Sequence, residues 1–164
     1  MGDVKFHQMS TAEILKCHVD LMEELRHRDI LRSANNPTDD LAEYLFCKAL
    51  NWQQAENSQA GYDAIDEAGI RYQIKGRRLH KRNSSRQLSA LRRLKERPFD
   101  ILAGVLFDES YTVTKAALIP HDVVLSQAKF KIHTNSHLFH LRDSVWTEEG
   151  VIDVTEKLQE ILLL

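Results

Sequence analysis

Apolar positions recur at helical spacing through the first third of the chain. Ile14, Cys17, Val19, Leu21, Met22, Leu25 and Ile30 follow Ser10-Thr11-Ala12-Glu13, a capping-box sequence, and predict a helix over about 11–32. Asn35-Asn36-Pro37 breaks it, and Thr38 can cap a second helix over about 39–50. Leu41, Leu45 and Ala49 lie beside Ala42, Phe46 and Leu50 on its apolar face, with Glu43 in its first half. The period then changes to two. Residues 60–76 read as a β-hairpin, in which Ile70, Tyr72 and Ile74 face the core and Arg71, Gln73 and Lys75 face away. Ser84-Ser85-Arg86-Gln87 resembles a second cap and predicts a helix to about 95, with Leu88, Leu91 and Leu94 on its buried side.

The last third alternates short elements. Residues 99–107 are almost all apolar, as in a strand covered on both faces. Asp108-Glu109-Ser110 turns the chain into a strand from Tyr111 to Ile119, and Pro120 opens a short helix to about 127. Lys129–His133 and Leu138–Leu141 read as edge strands, and Asp153 or Thr155 opens a final amphipathic helix. The pattern is that of one α/β domain spanning 1–164: a mixed central sheet flanked by helices, with extra helices at both ends.

The hairpin turn sets side chains against one another. Glu67-Ala68-Gly69 fits a three-residue loop with Gly69 in the left-handed conformation. Pairs then have residue numbers summing to 136, so Asp66 faces Ile70 and Asp63 faces Gln73. Asp63, Gln73 and Lys75 would share one face. A carboxylate and an amide oxygen are hard ligands suited to Mg²⁺ or Mn²⁺. A lysine beside them can orient a water and stabilise charge on a phosphate. A merely exposed polar hairpin face, with Lys75 solvated, is the alternative.

Charge adds a partner. The net charge of −2 conceals a segment, residues 71–97, that holds 11 of the 22 Lys and Arg against one acid, Glu96. Such a block suggests a polyanion, most simply nucleic acid. A basic helix pairing with acidic helices of the same chain is the structural alternative. No apolar run is long enough to span a membrane, and Met1-Gly2-Asp3-Val4-Lys5 lacks a signal-peptide core. Cys17 and Cys47 read as reduced core residues, so a cytoplasmic location is expected. His133, His137 and His140 have a spacing that could gather zinc, but they fit strands around a polar turn better.

The order Glu43, Asp63, Gln73-Ile74-Lys75 resembles the PD-(D/E)XK nuclease superfamily, over about residues 39–119. The resemblance implies a restriction endonuclease-like αβββαβ core and metal-dependent hydrolysis of DNA phosphodiesters, in restriction or defence. It assigns Asp63 to the metal-binding acid, Gln73 to the (D/E) position, Lys75 to the catalytic lysine and Glu43 to the acid on the preceding helix. Ile74 would offer its carbonyl to the metal. Two positions depart from the pattern: Tyr62 stands where the motif names proline, and Gln73 replaces an acid. Glu56 is a reserve for the helical acid; Asn57 and Ser58, in the loop before the hairpin, could touch a phosphate, with plain loop residues the commoner case. Arg77, Arg78, Lys81, Arg82 and Arg86 are the expected phosphate contacts, beside a helix N-terminus opened by Ser84 and Ser85. Cleaving both strands of a duplex with one site per chain implies a homodimer. The rival expectation is a non-catalytic nucleic-acid-binding module on the same fold.

Overall fold

The computed structural model of the chain describes residues 4–56 and 61–163. Helix α1 covers Thr11–His27. Its capping box forms as the sequence implies: Ser10 N–H donates to Glu13 Oε2 at 2.7 Å, and Glu13 N–H donates to Ser10 Oγ at 3.3 Å. It ends earlier than the apolar spacing predicts, because Asp29 adopts a left-handed φ of 57°. None of its residues is buried, and Leu15, Val19 and Leu21 are exposed. Its apolar face therefore contributes nothing to the core.

Helix α2 covers Pro37–Leu50. Asn36, not Thr38, is its cap: Asn36 Oδ1 accepts the Thr38 N–H at 3.1 Å, and Pro37 takes the first helical position, where no N–H is needed. The expected face is buried at Leu41, Ala42, Leu45 and Phe46. Strand β1 (Gln53–Gln54) follows, then β2 (Ala64–Ile65) and β3 (Arg71–Arg78). The β2–β3 register is Ala64 with Tyr72 and Ile65 with Arg71, the expected sum of 136. Gly69 has φ +82°, and Asp66 ties the turn by accepting the N–H groups of Ala68 and Ile70.

The helix expected over 84–95 does not form. Strand β4 is only Leu91–Arg92, and a single turn of 3₁₀ helix covers Leu94–Glu96. Ser85 Oγ accepts the Gln87 N–H in a local turn instead of capping a helix. Leu88 N–H donates to Phe139 O at 2.9 Å, and Leu141 N–H donates to Arg86 O at 3.0 Å. Pairing with a distant extended segment has overridden local helical preference. Leu88, Leu91 and Leu94 are buried all the same.

Strands β5 (Ile101–Phe107) and β6 (Val113–Pro120), helix α3 (His121–Gln127), strands β7 (Lys129–Lys131), β8 (Ser136–Leu138) and β9 (Ile152–Asp153), and helix α4 (Thr155–Leu162) complete the chain. Among the described residues, six strands form a mixed sheet in the order β1-β2-β3-β5-β6-β9. The β3–β5 pair is parallel and the others are antiparallel. A small sheet has the order β4-β8-β7.

One face of the large sheet, with Tyr72, Ile74, Ala103, Val105 and Phe107, packs on α2 and α4. The other face, with Leu102, Leu106, Ala117 and Ile119, packs on the crossover from β3 to β5, the small sheet and α3. Gly76 lets α2 approach: a Cβ there would lie 2.9 Å from Thr38 O. No described helix is long and apolar enough to cross a membrane. Cys17 and Cys47 are free and half-buried, and burial pushes the Cys47 thiol up to about 12.

Candidate functional site

Strand β2 ends two residues short of the Tyr62 backbone, so β3 loses its antiparallel neighbour beyond Tyr72. The edge from Ile74 onward is left with unpaired N–H groups on that side, and acids take them. Asp63 Oδ2 accepts the Ile74 N–H at 2.6 Å, and Asp39 Oδ1 accepts the Gly76 N–H at 3.2 Å. Asp63 Oδ2 also accepts from Gln73 Nε2. Asp63 and Gln73 therefore meet through their side chains, although the paired register stops at Ala64 with Tyr72 and the Asp63 N–H donates to Tyr72 O at 2.7 Å. The N–H and C=O of a strand residue leave on the same side, so the Ile74 carbonyl faces this edge as well.

Burial is the main influence on Asp63 and raises its carboxyl above the ordinary value, while the Ile74 N–H and the Lys75 charge pull it back. Glu43 lies on the α2 side. Its Oε2 accepts from Gln54 Nε2 at 2.6 Å and sits 3.7 Å from the Arg32 guanidinium. Burial, and after it the charge of Asp63, push the Glu43 carboxyl up to about 7. Glu43 and Asp63 line one recess of about 240 Å³ with Arg32, Ser33, Asp40, Ala55, Glu56 and Tyr62.

Gln73 and Lys75 also line a different recess, on the crossover side. It has about 370 Å³ and is bounded by Gly61, Ala90, Arg92, Arg93 and Pro98. Lys75 takes part in none of the ion pairs formed among the described residues. Asp63 thus stands at the junction of an acidic recess and a basic one.

The other expected residues divide. Arg77 Nε donates to Ser85 O at 2.9 Å, and Arg78 donates to Glu109 O and lies 4.7 Å from the Tyr111 ring centroid. Arg86 pairs with Asp143 at 2.8 Å. These three are at least partly engaged within the chain. Lys81 and Arg82 are exposed in the turn closed by His80 and Asn83. The helix N-terminus expected to hold phosphate at Ser84 and Ser85 is absent, because no helix starts there. Asn57 and Ser58 lie outside the described residues, and Glu56 lines the acidic recess.

Sequence reasoning missed Asp39, Arg92 and Arg93 as members of the site. Asp39 stands one turn before Glu43 on the same helix face, a spacing that was legible. Arg92 and Arg93 were counted in the basic block but assigned to a helix.

Asp63 Oδ1 makes no hydrogen bond among the described residues, and the Ile74 carbonyl leaves β3 on the same edge as the N–H that Asp63 Oδ2 accepts. Gln73 presents its Nε2 to Asp63, so its oxygen would serve a hard cation only with the amide turned over. No cluster of three or more His, Cys, Asp or Glu able to hold a metal occurs among the described residues. No protein-family model matches the chain, and no curated protein matches it.

Proposed function

We propose that the protein is a metal-dependent endonuclease acting on DNA, of the PD-(D/E)XK type. The observation that carries this reading is the meeting of Asp63 and Gln73 at the open edge of β3, with Lys75 two residues on. The order of elements supports it: α2, the meander β1-β2-β3, then a crossover to β5 lying parallel to β3. The crossover departs from the αβββαβ pattern in carrying no α-helix, only the 3₁₀ turn Leu94–Glu96. A Mg²⁺ or Mn²⁺ ion held by Asp63, Gln73 and the Ile74 carbonyl would supply a Lewis acid for the phosphate.

The chain's own residues do the rest. Asp63 fixes the edge by holding the Ile74 N–H. Lys75, unpaired and facing the basic recess, stabilises charge developing on the phosphate and orients the attacking water. Arg92 and Arg93 hold the phosphate against Lys75. Glu43, with its carboxyl near neutrality, can accept a proton in the acidic recess. Two copies acting together would cut both strands of a duplex.

One observation favours a second reading, a non-catalytic DNA-binding module. Asp63 Oδ2 already has two donors, and the Gln73 amide turns its Nε2, not its oxygen, toward it. That is how a structural carboxylate is satisfied. Incubation with supercoiled plasmid in Mg²⁺ or Mn²⁺ separates the two. The enzyme nicks or linearises the plasmid, and Asp63→Ala and Lys75→Ala abolish this. Binding without cleavage, unchanged in both variants, establishes the module.

A further inference from the structure

The small sheet is built entirely from the two acid-poor parts of the chain. Its β4 comes from residues 71–97, where Glu96 is the single acid. Its β7 and β8 come from the stretch Val123 to Arg142, which has no Asp or Glu and carries Lys129, Lys131 and Arg142 with three histidines. The pairing of Leu91 with His137 and Arg92 with Ser136 places these segments side by side.

The cross-strand rows organise the surface. Arg92, Ser136 and Lys131 form one row, and Leu91, His137 and Phe130 form the next. Residues in a row share a face, so Arg92 and Lys131 lie on the same side of the sheet, about 10 Å apart by strand spacing. Arg92 also lines the recess that holds Lys75. Cations therefore continue from Lys75 through Arg92 to Lys131.

At the end of this run the β7–β8 hairpin turns through a 3₁₀ segment, Ile132–Thr134, closed by left-handed Asn135. Ile132 is 85% exposed and Phe130 49% exposed, with the Lys95 ammonium 6.0 Å from the Phe130 ring centroid. A single exposed aliphatic is ordinary. An aliphatic at a hairpin tip, between Lys131 and His133 in the chain, is a different arrangement, and the half-exposed Phe130 lies on the sheet face of Leu91 and His137. Spaced cations match the phosphates of a backbone, and an apolar tip among them matches the face of a base step.

We propose that the β4–β8–β7 sheet is a docking surface for duplex DNA, with Ile132 as an apolar wedge placed against a base step beside the nuclease site. This rests on the nuclease reading for its ligand class but requires no cleavage. The test uses the full chain in Ca²⁺ without Mg²⁺, and a duplex carrying a fluorescent adenine analogue. Binding is read by anisotropy and unstacking by the analogue's emission.

Wild type should bind and raise the emission. Ile132→Ser should weaken binding roughly tenfold and abolish the rise, while Ile132→Leu keeps both. Lys131→Ala should lower the slope of log affinity against log salt by about one. Ile132→Ser behaving as wild type in both readouts overturns the wedge, even if Asp63→Ala still abolishes plasmid cleavage. Ile132-dependent binding to phosphatidylserine vesicles, with none to the duplex, overturns it in favour of a membrane surface. If the wedge effects appear but no Mg²⁺-dependent cleavage does, the wedge stands and the nuclease reading falls.

Discussion

The two sides of strand β3 carry opposite charge. Toward α2 lie Asp39, Glu43 and Asp63; toward the crossover lie Lys75, Arg92 and Arg93. Other charges pair within the chain: Arg71 with Asp100, Arg97 with Asp122, and Arg86 and Lys115 together on Asp143. Those pairs hold loops and strand ends in place and leave little charge to offer a ligand. Around β3 the signs are only partly paired, Glu43 with Arg32 and Arg93 with Glu96, and the result shows in the carboxyls. Asp63 and Glu43 are both raised by burial, and Glu43 is raised further by its acidic neighbour. A cation would relieve the acidic side, and a phosphate would relieve the basic side. A metal-assisted phosphodiesterase needs both at one place.

The largest effect is expected from breaking the junction itself. Asp63→Asn keeps an oxygen that can accept the Ile74 N–H, so the fold should survive with a melting temperature close to wild type. Plasmid cleavage should fall by about 1,000-fold or more, the order expected when a key electrostatic group is lost. Asp63→Ala should lose the same activity and also about 1–3 kcal/mol of stability, because the Ile74 N–H and the Gln73 amide lose their acceptor. A cleavage assay beside urea denaturation reads the two effects separately. Asp63→Asn with full activity would remove the acidic side from the chemistry.

On the basic side, Lys75→Met keeps the aliphatic stem and removes the charge. Cleavage should fall by about 100-fold while duplex affinity changes little, because the lysine charge acts on the transition state rather than on the bound backbone. Arg92→Ala should do the reverse, weakening binding about tenfold and reducing the salt slope by about one. Arg93→Ala should have the smaller effect, because Arg93 already pairs with Glu96 at 2.5 Å. Affinity measured across a salt series separates the lysine from the arginines. Equal effects of Lys75 and Arg92 on affinity and rate would show a single undivided basic patch.

The acidic side was far more legible in the sequence than the basic one. Gly69, with no side chain to hinder a positive φ, fixed a three-residue loop, and the loop fixed the register of Ala64 with Tyr72 that leaves Asp63 next to Gln73. That information is local. The crossover was misread because Leu88, Leu91 and Leu94 recur every third residue, a spacing compatible with a helix. What decides their conformation is pairing with residues 136–141, some fifty positions away in sequence, which no local pattern encodes. Arg92 and Arg93 were consequently displaced from the site. For α1 the start was legible in Ser10 and Glu13, but apolar spacing could not say whether its face would be buried, and the structure buries none of it.

The smallest effect concerns the standing cost of the acidic side. The Glu43 carboxyl titrates at about 7 in the folded chain, against an ordinary value of 4.5. The folded state therefore holds this proton more tightly than the unfolded state. The stability linked to it is fully present below pH 4.5, is lost progressively as pH rises toward 7, and is absent above that. Glu43→Gln removes the titration while keeping an oxygen for the Gln54 amide. The variant should match wild type near pH 4 and exceed it near pH 8 by an amount on the order of 1 kcal/mol. Urea denaturation at the two pH values checks this. The gap should narrow in Asp63→Asn, where the neighbouring charge that raises Glu43 is gone, and burial alone remains. A gap of the same size in both backgrounds would mean that Glu43 and Asp63 do not share their charge, and the acidic recess would then be two separate carboxyls on one side of β3.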